Sequence, residues 1–437
     1  MNQTAKIISI YTADTSGFCS ALFEYGGMTV IHDASGCNST YTTHDEPRWY
    51  DMDSMMYISG LTENDAVMGN DEKFVTDLCL AAKELNPKFI AICASALPAM
   101  VGVDMEAIAY EVETETGIPT FEVKTNAMQS YITGAGNAFV ELAKRFTEPS
   151  KRLNENSDKN IINPKNIITL KVNILGLTPL DFPLHGTTEA IQNWLEANGF
   201  IANSFVGMHH TKADHLEEIK RLADADVSLV VSSIGMPVAK YLYEEYGIPY
   251  VIGTPYGDKF SKLLIQALKK ALNNAPEGSS KKDLNEKSEG SKNINAILAN
   301  GIISESVSAS ATAQTEVTTN KTVVIIGESV LSASLATAIY QEFGLPVQVL
   351  ESVGDGELSV LDDSKDLSCT EEDELEMEIK KADIVIADPL FEPICKGKHF
   401  IRLPHAAFSG RCFTKEEFQL INVPLADTKL GKQILEY

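Results

Sequence analysis

The sequence predicts an α/β protein built of three Rossmann-like lobes, with mostly parallel sheets, around a central cleft. Short, largely apolar runs recur along the chain: MTVIH at 28–32, KFIAIC at 88–93, VSLVV at 227–231 and TVVIIG at 322–327. Runs of that length, bounded by turn residues, read as strands buried on both faces. Segments of helical spacing separate them, such as EKFVTDLCLAAKELNP at 72–87 and KFSKLLIQALKKALNN at 259–274. That alternation builds βαβ units and hence parallel sheets. Two polar stretches then break the series: the Asn-rich KRLNENSDKNIINPK at 151–165 and the low-complexity region 275–320.

The domain organisation follows. Residues 1–160 form a first α/β lobe, 161–274 a second, 275–320 a linker too poor in apolar residues to order itself, and 321–437 a third lobe. In the first lobe KIISIY (6–11), MTVIH, KFIAIC and GIPTFEV (117–123) are the expected strands, and AGNAFVELAKRF (135–146) is a helix. Asn70 and Asp71 are plausible caps for the helix that carries Cys79, a core thiol beside Leu78 and Leu80. In the second lobe ITLKVNILGL (168–177), FIANSFVG (200–207), VSLVVSS and IPYVIG alternate with four helical segments. The third lobe reads TVVIIG, a helix to Phe343, PVQVLES, a helix over 371–381, DIVIAD and HFIRLP.

Composition narrows the function. A net charge of −25 disfavours nucleic acid and anionic membrane surfaces, which need a cationic footprint. The sequence has no apolar run of the roughly 20 residues that would span a bilayer, and its start lacks a signal-peptide pattern, so a cytoplasmic location is expected. Seven cysteines, an odd number without CxxC pairs, point to free thiols rather than a disulfide framework or zinc ribbon.

Three of those thiols stand out. Cys19, Cys37 and Cys93 follow the first three apolar runs, and ligands of open α/β sheets gather at the carboxyl ends of strands. One reading is an iron–sulfur cluster, with Gly17 and Gly36 admitting the bulky sulfide. Its fourth ligand would come from a second subunit, Asp33 or a non-protein group. The other reading is three buried thiols. GESVLSASLA (327–336) opens a helix after a strand, but without a P-loop lysine it reads as packing, and any nucleotide hydrolysis belongs to another protein. Among the histidines, His209, His210 and His215 lie near a strand end and, as loop histidines, read as solvated. His405 ranks first because Arg402, Arg411 and Cys412 stand close by, and arginines at a cleft hold anions. The acidic stretch 352–378 has no EF-hand spacing and reads as a solvated or docking face.

Several stretches together resemble the nitrogenase component 1 family: the α and β subunits of nitrogenase, their cofactor-assembly scaffolds and the nitrogenase-like tetrapyrrole reductases. They are HDASGC at 32–37, SGLTENDAVMGNDEKF at 59–74, ICASALPAMVGVDMEAI at 92–108 and SYITGAGNAF at 130–139. VVSSIGMPVAKYLYEEYGIPYV (230–251), KTVVIIGESVLSASLATAI (321–339), KADIVIAD and FIRLP extend the likeness through the other lobes. The resemblance implies that Cys19, Cys37 and Cys93 hold a 4Fe-4S or P-cluster-like centre at a subunit interface. It also implies a separate ATP-hydrolysing iron protein as electron donor and a homologous component 1 subunit as partner, in a homo- or hetero-oligomer. His405 and Arg402 are then the candidate catalytic residues. Where the family's α subunit has a cofactor cysteine, this chain has Ser232 and Ser233, so a conventional iron–molybdenum cofactor is not expected. The alternative function is a non-catalytic scaffold for metallocluster or tetrapyrrole assembly.

Overall fold

The computed structural model describes residues 6–34, 46–150, 170–209, 215–273, 321–416 and 419–437. Cys37, Gly36, His210, the 151–165 connection and the 275–320 linker lie outside the described residues. Three sheets are present, and every strand pair in them is parallel.

The first sheet has the order β2-β1-β3-β4, with β1 Met28–His32, β2 Met55–Ile58, β3 Ile90–Ala94 and β4 Thr120–Glu122. Its central strands are buried at every position, as their unbroken apolar runs require. The helices of this lobe are α1 (Asp14–Leu22), α2 (Glu63–Met68), α3 (Asp71–Leu85), α4 (Ala96–Val101), α5 (Met105–Thr116) and α6 (Tyr131–Phe146). Register then sorts the side chains. Val30 pairs with Ile92 and packs toward α3 and α5, whereas Ile31 pairs with Cys93 and faces α1 and α6. Cys79 is a buried core thiol of α3, as expected.

The second sheet has the order β6-β5-β7-β8, from β5 Leu170–Leu177, β6 Phe200–Gly207, β7 Val227–Val230 and β8 Tyr250–Ile252. The third has the order β11-β10-β9-β12-β13, from β9 Val323–Gly327, β10 Val347–Glu351, β11 Leu367–Ser368, β12 Ile384–Ala387 and β13 His399–Arg402.

One expected strand fails. Residues 6–11 join no sheet; Ile8 is 73% exposed, and the Ile10 and Tyr11 amides donate to the Phe408 and Ala407 carbonyls of the third lobe. An apolar run read without its partners cannot tell a sheet strand from a strap between lobes. Cys19 consequently sits within helix α1 rather than at a strand end. In compensation β2, unexpected in the stretch after Cys37, forms the edge of the first sheet.

Helices α1 and α6 cross with backbone nearly touching backbone. A Cβ on Gly17 would lie 2.0 Å from the Tyr131 carbonyl oxygen, and one on Gly134 would lie 1.9 Å from that of Asp14. Gly17 therefore serves helix packing, which differs from the expected role of admitting cluster sulfide.

Polar contacts fasten the lobes to one another. Asp355 of the third lobe accepts from the Ser130 amide at 2.9 Å and from Thr133 Oγ1 at 3.1 Å, at the start of α6. Tyr25 Oη accepts from the Gly207 amide at the end of β6, at 2.9 Å. Deep in the first lobe Arg48 is buried with Glu24 and Glu46 at 2.9 and 2.8 Å, and its Nη2 also donates to the Ser20 carbonyl at 2.8 Å.

Candidate functional site

The three lobes meet at one carboxylate, Asp181. It lies in the turn after β5, where its amide donates to the Thr178 carbonyl. Tyr131, in the first turn of α6, donates its hydroxyl to Asp181 Oδ1 at 2.5 Å. Ser232, which caps the short 3-10 turn Ser233–Gly235, donates to Oδ2 at 2.6 Å. His405 of the third lobe sets Nε2 3.1 Å from Oδ1. A second buried carboxylate, Glu328, stands at the head of the helix Ser329–Phe343. It accepts from the Val330 and Leu331 amides at 3.0 and 2.8 Å and from the hydroxyl of Ser233. The amides that a phosphate would occupy at GESVL are thus already taken, which matches the packing reading of that loop. Asp388, following β12, accepts from the His405 amide at 2.8 Å and from Ser409 Oγ at 2.7 Å.

Asp181, Glu328, Asp388, His405 and Tyr256 line a cavity of about 60 Å³, otherwise walled by Leu331, Leu335, Leu403 and Phe408. That volume suits a few water-sized molecules.

The electrostatics favour proton retention. Burial pulls the His405 imidazole down, but the Asp181, Asp388 and Glu328 carboxylates outweigh it and hold its pKa above the ordinary 6.5. Burial, with the charge of Asp181 added, pushes Glu328 up. Burial likewise raises Asp388. Each raised group binds its proton more tightly folded than unfolded, so its stabilising contribution is complete below the unfolded pKa and is lost as pH rises through the folded one. For His405 the loss begins near pH 6.5. The thermal midpoint should therefore fall as pH rises past that value, and His405→Gln should flatten the slope; an unchanged slope would show that His405 is not the titrating group.

The sequence-derived residues fare differently. His405 lies at the junction of the lobes. Arg402 does not join it: its side chain is 42% exposed, and the guanidinium pairs with Glu392 and Glu416 at 2.7 and 3.2 Å. On β13 the two-residue period turns alternate side chains to opposite faces, and Arg402 takes the outer one while Ile401 is buried. His209 and His215, expected to be solvated, are buried instead. Cys19 and Cys93 share the layer between α1 and the first sheet, close enough for Cys19 to help push the Cys93 thiol up. Both are 0% exposed, and burial pushes both thiols up. The third expected ligand, Cys37, lies outside the described residues. Asp181, Tyr131 and Glu328 were not singled out from the sequence. A signal for Glu328 does exist, since an acid directly between an apolar run and a helix is an N-cap; Asp181 had only its place after a strand.

Taken together, the fold and the junction define a three-lobed parallel α/β protein with a buried acid–histidine centre where the lobes meet. Residues 25–388 match the family model described as nitrogenase component 1 type oxidoreductase, and the chain belongs to that family. It is 24% identical over 234 residues to a subunit of the light-independent protochlorophyllide reductase of Prosthecochloris aestuarii, covering 52% of this chain and 40% of that protein. To the nitrogenase molybdenum-iron protein beta chain of Crocosphaera subtropica it is 23% identical over 245 residues, covering 54% and 46%. The match thus spans less than half the length of either relative. The solved structure "Nitrogenase Cp1 at pH 6.5" superposes with a TM-score of 0.64 at 17% identity, over 100% of this chain and 93% of that one, a likeness of fold. Among the described residues no helix is long and apolar enough to cross a membrane.

Proposed function

We propose that the chain is a subunit of a component 1-type oxidoreductase. In this reading it takes electrons from a separate ATP-hydrolysing iron protein and pairs with a homologous subunit. A small substrate, or the reacting end of a larger one, is reduced at the junction of the lobes. The observation that carries the proposal is the meeting of Tyr131, Asp181 and His405, one from each lobe, beside a small cavity that Asp181 and His405 line. Reduction consumes protons as well as electrons, and a proton donor must remain protonated near neutral pH yet stand at the reacting atoms. His405 meets both needs: Asp181 keeps it protonated, and it lines the cavity. Tyr131 and Ser232 anchor the carboxylate from the far side, so that it positions the imidazole.

The test uses the anaerobically purified assembly with its iron protein and ATP, following dithionite oxidation. His405→Gln should lower turnover by about 100-fold or more, the range of general acid catalysis, and abolish the basic limb of the pH profile. Full turnover by the variant would remove His405 from the chemistry. Release of bound cargo without ATP-dependent electron consumption would identify a scaffold.

An iron–sulfur cluster, 4Fe-4S or P-cluster-like, held by Cys19, Cys37 and Cys93, belongs to the same proposal. Cys19→Ser should lower the iron and acid-labile sulfide per chain. Unchanged iron would remove Cys19 from its ligands.

A further inference from the structure

The structure assigns a second, separate site: we propose that Glu24, His209 and His215 bind a divalent first-row transition ion, with an open coordination position facing a cavity. This site is independent of the proposed reductase activity.

Glu24 follows α1, His209 follows β6, and His215 precedes the short helix Leu216–Lys220. The strand end and the helix bring the two histidines together with Glu24, which lies far from them in sequence. One ligand atom from each lies within 4.8 Å of the others. The side chains of Glu24 and His209 are 0% and 4% exposed, and His215 is buried as well.

His209 stands between two carboxylates. Its Nε2 faces Glu218 Oε2 at 3.1 Å. Nδ1, buried and without a hydrogen-bond partner among the described residues, is turned toward Glu24 Oε2 at 3.5 Å. The separation is close to the ~3.3 Å edge of a tetrahedron whose metal bonds are ~2.0–2.2 Å. Glu218 supplies the carboxylate behind the histidine that commonly orients a metal-bound imidazole.

Charge and access agree. Buried Arg48 faces both Glu24 and Glu46, one positive charge against two negative, while Glu218 has its own partner in Arg221 at 3.3 Å. Glu24 and His215 also line an open cavity of about 440 Å³, together with Asp53 and Lys88, which gives an ion and its water a way in. The imidazoles of His209 and His215 are stacked, 3.8 Å apart and 15° from parallel. One ion cannot lie in two parallel ring planes, so binding turns His215 out of the stack toward the cavity that it lines. Two imidazoles and one carboxylate with an open position suit zinc or ferrous iron.

The experiment titrates Zn²⁺ into the full chain after chelator treatment and reads X-ray absorption of the bound metal. Wild type should bind one ion with nitrogen and oxygen neighbours. His215→Gln should weaken binding by about 100-fold or more, and Glu218→Gln by about 10–100-fold, the range for partners behind a ligand. Sulfur neighbours, equal uptake by wild type and His215→Gln, or no uptake by wild type would each overturn the assignment. Folding of the variants is checked by circular dichroism. If His215→Gln does not fold, Glu218→Gln carries the comparison.

Discussion

Arg48→Met should destabilise the chain by about 3–5 kcal/mol, the cost of removing one partner from a buried ion pair. Among the described residues the Arg48 side chain is the largest that is fully buried, and its donors reach Glu24, Glu46 and the Ser20 carbonyl at 2.8–3.0 Å. It also lies over the Phe23 ring, 4.6 Å from the centroid. Burial alone would raise Glu24, yet His209 and Arg48 together hold its pKa down to about 2. Without Arg48, two carboxylates remain in a dry interior with one fewer positive charge and an unmatched backbone oxygen. Methionine keeps the bulk, so the loss reports charge rather than a cavity. A thermal melt checks it, and recovery of most of the loss in Arg48→Met with Glu24→Gln and Glu46→Gln would attribute it to the stranded carboxylates. A single variant melting with wild type would refute the account.

Gly134→Ala should cost about 3 kcal/mol, at or beyond the upper end of ordinary overpacking. Alanine is the better helix former by about 1 kcal/mol, so the sign is decided by contact. The new methyl would meet the Asp14 carbonyl oxygen at 1.9 Å and its carbon at 2.5 Å. Both belong to the backbone of α1, which cannot rotate away as a side chain can. Moving α1 would also disturb the Asp14 carboxylate, which accepts from the Asn126 and Ala127 amides at 2.8 Å. Gly136→Ala offers the graded comparison, since its nearest neighbour is the Pro237 ring at 2.9 Å. Its loss should be smaller. Equal losses at the two positions would contradict the close-crossing explanation.

The three-lobed α/β class was legible because unbroken apolar runs such as VVIIG and IVIA belong to strands covered on both faces. Helical spacing and capping residues placed the segments between them. His405 was also legible as a histidine after the last strand of the third sheet. Its partner was not, since Asp181 and His405 come from lobes far apart in sequence and meet through turns after β5 and β13. Arg402 shows the converse: a sequence neighbour of His405 whose place on β13 points it outward to Glu392 and Glu416.

The thiols show the same division. Cys93 could be read as a residue of a buried strand, because an apolar run implies its own burial. That Cys19 belongs to a helix, and that Gly17 exists for the crossing with α6, depended on which surfaces came to oppose one another. Local pattern specifies periodicity and burial, which are properties of a segment and its solvent. Proton affinity, ligand geometry and access are properties of groups brought together from different lobes, and they arise only once the lobes have packed.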